Sequence, residues 1–195
     1  DGTFGAEIAP VTIKDRKGEK VIDKDQAPFQ VNISKIATLK PAFAKNGTVT
    51  AATSSSISDG AAALVLMRRS TAEKKGIVPI AVIKAHATHA QEPNLFTTAP
   101  VGAILKVLEK AGWKNTDVDL WEVNEAFAVV TLAAMRDIGI PHDKVNINGG
   151  ACALGHPIGA SGARIIVTLI HALQAHGLKK GVAGLCIGGG EATAM

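Results

Sequence analysis

Three short stretches hold side chains that could do chemistry together. Asn124 opens Asn124-Glu125-Ala126-Phe127-Ala128, His156 sits within Gly155-His156-Pro157, and Cys186 precedes Ile187 and a Gly188-Gly189-Gly190 turn. A thiol near an imidazole is how proteins tune a cysteine for base or nucleophile work. Small residues crowd all three stretches and let a substrate reach backbone N–H groups, as an oxyanion hole requires. Each position also has a plain structural reading. Asn124 suits a helix N-cap, His156 suits a turn residue, and Cys186 in an apolar run suits an inert core thiol, as does Cys152. Gly155, Gly159 and Gly162 give G-x-x-x-G-x-x-G, which is neither a dinucleotide fingerprint nor a phosphate loop. Gly159-Ala160-Ser161-Gly162 is not a nucleophile elbow. Spacing alone therefore makes a weak case for an enzyme.

The elements that must position these residues alternate between strand and helix. Residues 61–67 form an apolar run bounded by Asp59-Gly60 and Arg68-Arg69, which predicts a buried strand. Residues 70–76 read as a short polar helix with Ser70 as cap, Glu73 at the capping-box position and Gly76 as stop. A second strand is expected over 79–87. Residues 100–111 place Val101, Ile104, Leu105 and Leu108 on one helix face between Pro100 and Gly112. A strand over 118–123, a buried helix over 124–138 and a strand over 144–147 follow. Then come a buried helix over 159–175, a strand over 181–187 and a last strand over 191–195. Such alternation implies right-handed crossovers and a mainly parallel sheet with helices on both faces. Ligands bind beyond the carboxyl ends of strands in such sheets, and all three stretches lie at those ends.

Residues 1–57 differ. They carry Pro10, Pro28 and Pro41, a charged turn from Lys14 to Lys20, and a Ser/Thr tract over 48–56, which reads as a loop-rich segment with short strands. The opening Asp1-Gly2-Thr3-Phe4 has neither an initiator Met nor a targeting pattern and reads like the middle of a longer chain.

Composition excludes several classes. Apolar residues make up 47 % and charged residues 19 % of the 195, enough to bury a core. Aromatics are only 4 %, with no Tyr, which argues against antibody-like sandwiches and stacking platforms for single strands. The net charge of +4 is spread along the chain rather than gathered in a stripe, so no nucleic-acid partner is expected. No apolar run is long enough to span a bilayer, so no membrane partner is expected. Two cysteines make no disulfide framework, and no clustered Cys/His spacing suggests a metal. A cytoplasmic location is expected, with an organelle matrix as the alternative.

Taken together, Asn124-Glu125-Ala126-Phe127-Ala128, Gly155-His156-Pro157 and Cys186-Ile187-Gly188 resemble the NEAFA, GHP and CxG motifs of the thiolase family, in that family's order and spacing. GGACALGHPIGASGAR over 149–164 is close to a family signature by itself. The resemblance covers the whole chain and implies a thiolase-like layered α/β fold. It would comprise a C-terminal βαβαβαββ half with a remnant of the loop domain and of the N-terminal half. The implied division is a coenzyme A-covering loop domain over 1–57, the closing segment of the N-terminal domain over 58–78, and the C-terminal domain over 79–195.

The implied chemistry is that of an acetyl-CoA acetyltransferase or 3-ketoacyl-CoA thiolase, which joins or cleaves β-ketoacyl-CoA through an acyl-cysteine. Cys186 matches the acid/base thiol and His156 the histidine that activates the nucleophile. Asn124 matches the residue that positions an oxyanion-hole water, and Gly188 a backbone donor of the second hole. Ser55, Phe43, Ala126 and Phe127 match residues around the pantetheine of coenzyme A. No cofactor is implied as a permanent resident; the coenzyme A thioester is the substrate. The implied partners are the N-terminal half and, at full length, further copies in a dimer or tetramer. The nucleophilic cysteine belongs to that other half, so the chain alone is expected to be inactive. The alternative is a folded module that only binds coenzyme A or makes subunit contacts.

Some positions depart from the family pattern. Cys152 stands where the family tolerates Ile and is not the nucleophile. Phe96 stands where many members carry Met, which leaves acyl chain length open. Pro28 and Lys35 replace an Arg and a Ser near coenzyme A, and direction of the reaction is not legible.

Overall fold

The computed structural model describes residues 2–195; Asp1, the first residue of the expected loop segment, lies outside them. Two strands, β1 (Val11–Asp15) and β2 (Gly18–Ile22), form an antiparallel hairpin in which Asp15 pairs with Gly18. Its strands are exposed nearly throughout. A four-residue helix α1 (Ala27–Gln30) and a 3-10 turn over Ile33–Thr38 follow, neither with a buried residue. The first third is loop-rich with short strands, as expected.

Residues 61–67 correct the sequence reading. They carry no strand, and Val65 and Leu66 are 88 % and 64 % exposed. An apolar run becomes a strand only where another strand accepts its backbone N–H and C=O groups, and none does so among the described residues. Helix α2 (Arg69–Lys74) begins one residue earlier than expected, so Ser70 lies inside it and caps nothing. The expected strand over 79–87 is also displaced: Ile80 and Val82 are exposed, and pairing starts only with β3 (Ala87–Ala90).

The remainder forms the packed layer. Helix α3 (Ala99–Ala111) starts with Pro100 in its first turn and stops at Gly112, whose φ of 67° is open to glycine at low cost. Strand β4 (Leu120–Val123) is buried throughout. Helix α4 (Ala128–Ile138) ends at Gly139. A single turn α5 (Ala151–Leu154) leads to helix α6 (Ser161–Ala175), then β5 (Gly181–Ile187) and β6 (Glu191–Ala194). The sheet order is β3-β6-β5-β4. Only β4 and β5 are parallel; β6 runs antiparallel to both β5 and β3. The sheet is therefore mixed rather than mainly parallel, because the Gly188–Gly190 turn folds β6 straight back onto β5.

The period-2 alternation of strands sorts side chains between two faces. Trp121, Val123, Val182, Cys186, Ala192 and Ala194 face α3 and α4 in the larger core. Leu120 and Ala183 face Ile165, Leu169 and Ala172 of α6 in the smaller one. Helices thus cover both faces, as the alternation predicted. Gly181 and Gly184 keep the contacts close: a Cβ would lie 2.8 Å from Leu169 and 3.2 Å from Ile104, respectively. Helix α4 is less enclosed than its apolar circumference predicts, since Val129 and Leu132 face outward. In α6, Ser161, Ile165, Thr168, Leu169 and Ala172 form the buried stripe.

The expected strand over 144–147 is reduced to one bridge, Trp121 to Val145. Asn146 explains this. Its φ of 47° turns the chain out of the ladder. Its side chain then completes the pairing, Oδ1 accepting from the Val123 N–H and Nδ2 donating to the Val123 carbonyl, each at 2.8 Å. Among the described residues, no helix is long and apolar enough to cross a membrane.

Candidate active site

The three motif-bearing loops meet at one end of the sheet. Asn124 follows β4 directly, and its backbone N–H donates to the Gly184 carbonyl of β5 at 2.9 Å. That bond holds Asn124 beside the strand carrying Cys186, two residues further on. Helix α4 begins only at Ala128, with extended Phe127 ahead of it, so Asn124 is not an N-cap. Its side chain is 1 % exposed and its Nδ2 lies 3.4 Å from His156 Nε2. Asn124 Oδ1 is buried and has no protein partner.

His156 is held from both sides. Its backbone N–H donates to the Ser56 carbonyl at 2.9 Å, and a parallel bridge joins it to Ile57. Gly155 makes this approach possible: it sits at φ 97°, and a Cβ would lie 2.8 Å from Ser58 Cβ. On the ring's far side, Nδ1 lies 2.5 Å from Ser161 Oγ. Burial, with the nearby Arg164 guanidinium second, pushes the imidazole below its ordinary value, so it is neutral at pH 7.

Cys186 lies on β5 and is 7 % exposed, facing the larger core with Ala192 opposite it. Burial pushes its thiol above the ordinary range, so it holds its proton at neutral pH. Gly188 lies exposed in the turn beyond, and a Cβ there would meet nothing within 4 Å. Cys152 is different. Its Sγ donates to the Glu125 carbonyl at 3.7 Å, and burial together with Glu125 pushes it up to about 11.

The Ser/Thr tract threads between the loops. Ser54 bridges to Phe127, and Ser55 donates from both its N–H and its hydroxyl to the Ala126 carbonyl, at 3.1 and 2.9 Å. The Ser55 hydroxyl proton is thus engaged, and its lone pairs remain as acceptors. Phe127 stands edge-on between Phe43 and Phe96, with ring centroids 6.1 and 6.2 Å away. Phe43 is otherwise exposed. A cleft of about 530 Å³ opens between residues 58–62 and 157–160, next to His156 in the chain. The structure thus joins Asn124 to His156, Ser55 to Ala126 and Phe43 to Phe127, and sets Cys186 on the adjoining strand.

Supporting residues escaped the motif reading. Glu125 accepts from Asn146 Nδ2 at 2.8 Å and from the Cys152 backbone N–H at 3.1 Å, tying the loop after β4 to the loop that carries His156. Gly150 leaves room for it, since a Cβ there would overlap the Glu125 carboxyl group. Glu122 points the other way, under α6, with Arg164 Nη1 3.7 Å away. Burial pushes its carboxyl up to about 8, with Arg164 opposing. An Asn set between Val145 and Ile147, a residue type that tolerates positive φ, was the one available signal for Asn146.

Comparison with known proteins accounts for this convergence. The thiolase C-terminal domain model matches residues 77–195, and the thiolase N-terminal domain model matches residues 1–70. An acetyl-CoA acetyltransferase of Chromobacterium violaceum is 49 % identical over all of this chain and 50 % of its own length. One from Paracoccus denitrificans is 48 % identical over the same shares. The crystal structure of the Bacillus anthracis acetyl-CoA acetyltransferase superposes with a TM-score of 0.95 at 46 % identity, covering 99 % of this chain and 49 % of that one. Human mitochondrial 3-ketoacyl-CoA thiolase superposes at 0.90 and 39 % identity, over 99 % and 49 %. The chain spans about half the length of the curated relatives it matches. Sequence, sheet topology and the meeting of the three loops agree, and the chain belongs to the thiolase family.

Proposed function

We propose that this chain supplies the acid/base side of a thiolase active site. That site condenses two acetyl-CoA to acetoacetyl-CoA, or cleaves short 3-ketoacyl-CoA, with the acyl-carrying cysteine coming from a complementary N-terminal half. The observation that carries this is the buried Asn124 side chain against neutral His156, beside the strand that bears a protonated Cys186. A neutral imidazole can take the proton of a nucleophilic thiol and then donate it to a thioester oxygen. The unpartnered Oδ1 of Asn124 suits a water held as a second donor to that oxygen. In condensation, the Cys186 thiol first protonates the coenzyme A thiolate released when the nucleophilic cysteine is acylated, and the Cys186 thiolate so formed takes an α-proton from acetyl-CoA. The resulting carbanion forms a C–C bond to the acyl carbon as the acyl–sulfur bond breaks, and the departing thiolate is reprotonated. In cleavage, the Cys186 thiol returns the proton to the departing carbanion. A raised thiol pKa suits it as the proton donor.

Within this reading Ser55, Phe43, Ala126 and Phe127 line the pantetheine slot, with Ser55 as acceptor. Residues 1–57 cover coenzyme A, 58–78 close the N-terminal domain and 79–195 form the C-terminal domain. The exposed apolar stretches at 61–67 and 78–83 are the surface on which the other half packs. At full length the protein is a dimer or tetramer and its work is acyl transfer in cytoplasmic fatty acid metabolism.

Co-folding the chain with the N-terminal half of a relative, then assaying acetoacetyl-CoA cleavage, tests the proposal. Cys186→Ala and His156→Ala should each lower kcat by about 10²–10⁴-fold, and Asn124→Ala by about 10²–10³-fold. Full activity in Cys186→Ala would overturn it.

A further inference from the structure

We propose that Ser161 is a positioning residue that sets the tautomer of His156, keeping the proton on Nδ1 and the lone pair of Nε2 toward Asn124. Ser161 is wholly buried at the start of α6, five residues beyond His156. Its Oγ lies 3.0 Å from the Pro157 carbonyl and 2.5 Å from His156 Nδ1. A serine hydroxyl has one proton and two lone pairs. Given to the Pro157 carbonyl, that proton leaves Oγ able only to accept, so the hydrogen between Oγ and the ring belongs to Nδ1. Nε2 is then an acceptor, and the group facing it is the Asn124 amide N–H at 3.4 Å. All three contacts are satisfied at once. The opposite tautomer would take the Ser161 proton away from Pro157 and set an Nε2–H against the Asn124 amide N–H.

Helix α6 supplies the rigidity. Its buried stripe continues from Ser161 through Ile165, Thr168 and Leu169, so Oγ is held by the same packing that covers the sheet. The sequence stretch Gly159-Ala160-Ser161-Gly162 is not a nucleophile elbow, and its serine accepts from the His156 ring instead. The consequence for acyl transfer rests on the function proposed above: only an imidazole whose Nε2 carries no proton can take a thiol proton on the Asn124 side. The tautomer itself does not depend on that function.

The ring 15N shifts of His156 in 15N-histidine-labelled protein, at pH 7.5 and without substrate, test the inference. The Nδ1–H form should dominate in the unaltered protein. In Ser161→Ala the preference should fall by about tenfold, the worth of one buried hydrogen bond; Ser161→Thr, which keeps the hydroxyl, should restore it. A dominant Nε2–H form in the unaltered protein would overturn the inference even if Ser161→Ala failed to fold. An unchanged ratio in a folded Ser161→Ala would overturn it too. A dominant Nδ1–H form together with an inactive complex of the chain and a complementary N-terminal half would leave this assignment standing and count only against the acyl-transfer reading.

Discussion

The packed layer from β3 onward and the stretch before it contain similar apolar residues with opposite fates. Val182 and Val123 are 1 % and 0 % exposed, whereas Val65 and Val78 are 88 % and 85 % exposed. Composition does not separate them. Partnering does: β5 has hydrogen-bonded neighbours on both edges and helices on both faces, while 61–67 pairs with no strand among the described residues. Burial stabilises by roughly 1.5–3 kcal/mol per large aliphatic side chain, but a chain collects it only where backbone groups are also satisfied. The site sits on the first region and borrows from the second, through Ser54–Ile57 laid against Phe127 and His156.

The sharpest way to break this contrast is core truncation. Trp121→Ala should destabilise the layer by about 3–5 kcal/mol and Ile104→Ala by about 2–5 kcal/mol in urea unfolding. Val65→Ala, at an exposed position, should stay within about 0.5 kcal/mol. Equal losses would erase the distinction between the regions.

Glu122 adds a pH signature to the layer alone. Its folded pKa is raised to about 8, so folding favours the protonated form. Stability from this group is full below its unfolded pKa of about 4.5 and is lost progressively as pH rises to about 8, by on the order of 5 kcal/mol in all. Glu122→Gln should flatten that alkaline limb. His156 acts oppositely. Its pKa is lowered, so its contribution is present above about 6.5 and is lost as pH falls below that value. A melting temperature that rises between pH 6.5 and 8.5 would contradict the Glu122 assignment.

A smaller effect probes the tie between the regions. Thr168 of α6 donates to Glu7 at 2.9 Å, across the sequence. Thr168→Val should cost about 1 kcal/mol and should speed proteolysis within residues 2–10 more than within β5. Uniform protection along the chain would show the two regions to be one cooperative unit.

Much of this was legible in the sequence, and the misses share a cause. Helices α3 and α6 and strand β5 announce themselves through period, Pro and Gly, and the three motifs mark the site. Strands expected over 61–67, 79–87 and 144–147 failed because short apolar stretches report a willing strand, not an available neighbour. At 144–147 the neighbour exists, but Asn146 leaves the ladder after one bridge and substitutes its own amide. The antiparallel return of β6 was legible, because three glycines are too short for a crossover; the antiparallel pairing of β3 at the sheet's edge carried no local signal. Glu125 and Ser161 lie within the motif stretches but act through contacts to the Cys152 N–H and to His156 Nδ1 that no local pattern reveals, and Asn146 lies outside those stretches.

Cleavage of acetoacetyl-CoA by the 195-residue chain on its own, beside its Cys186→Ala variant, tests most directly whether it holds one side of the site. Cys152 is bound to the Glu125 carbonyl with its thiol pushed up to about 11, and the Cys186 thiol is buried and protonated. No turnover above the buffer rate is expected from either protein. A rate that Cys186→Ala abolishes would contradict the assignment, because the chain would then be carrying its own nucleophile.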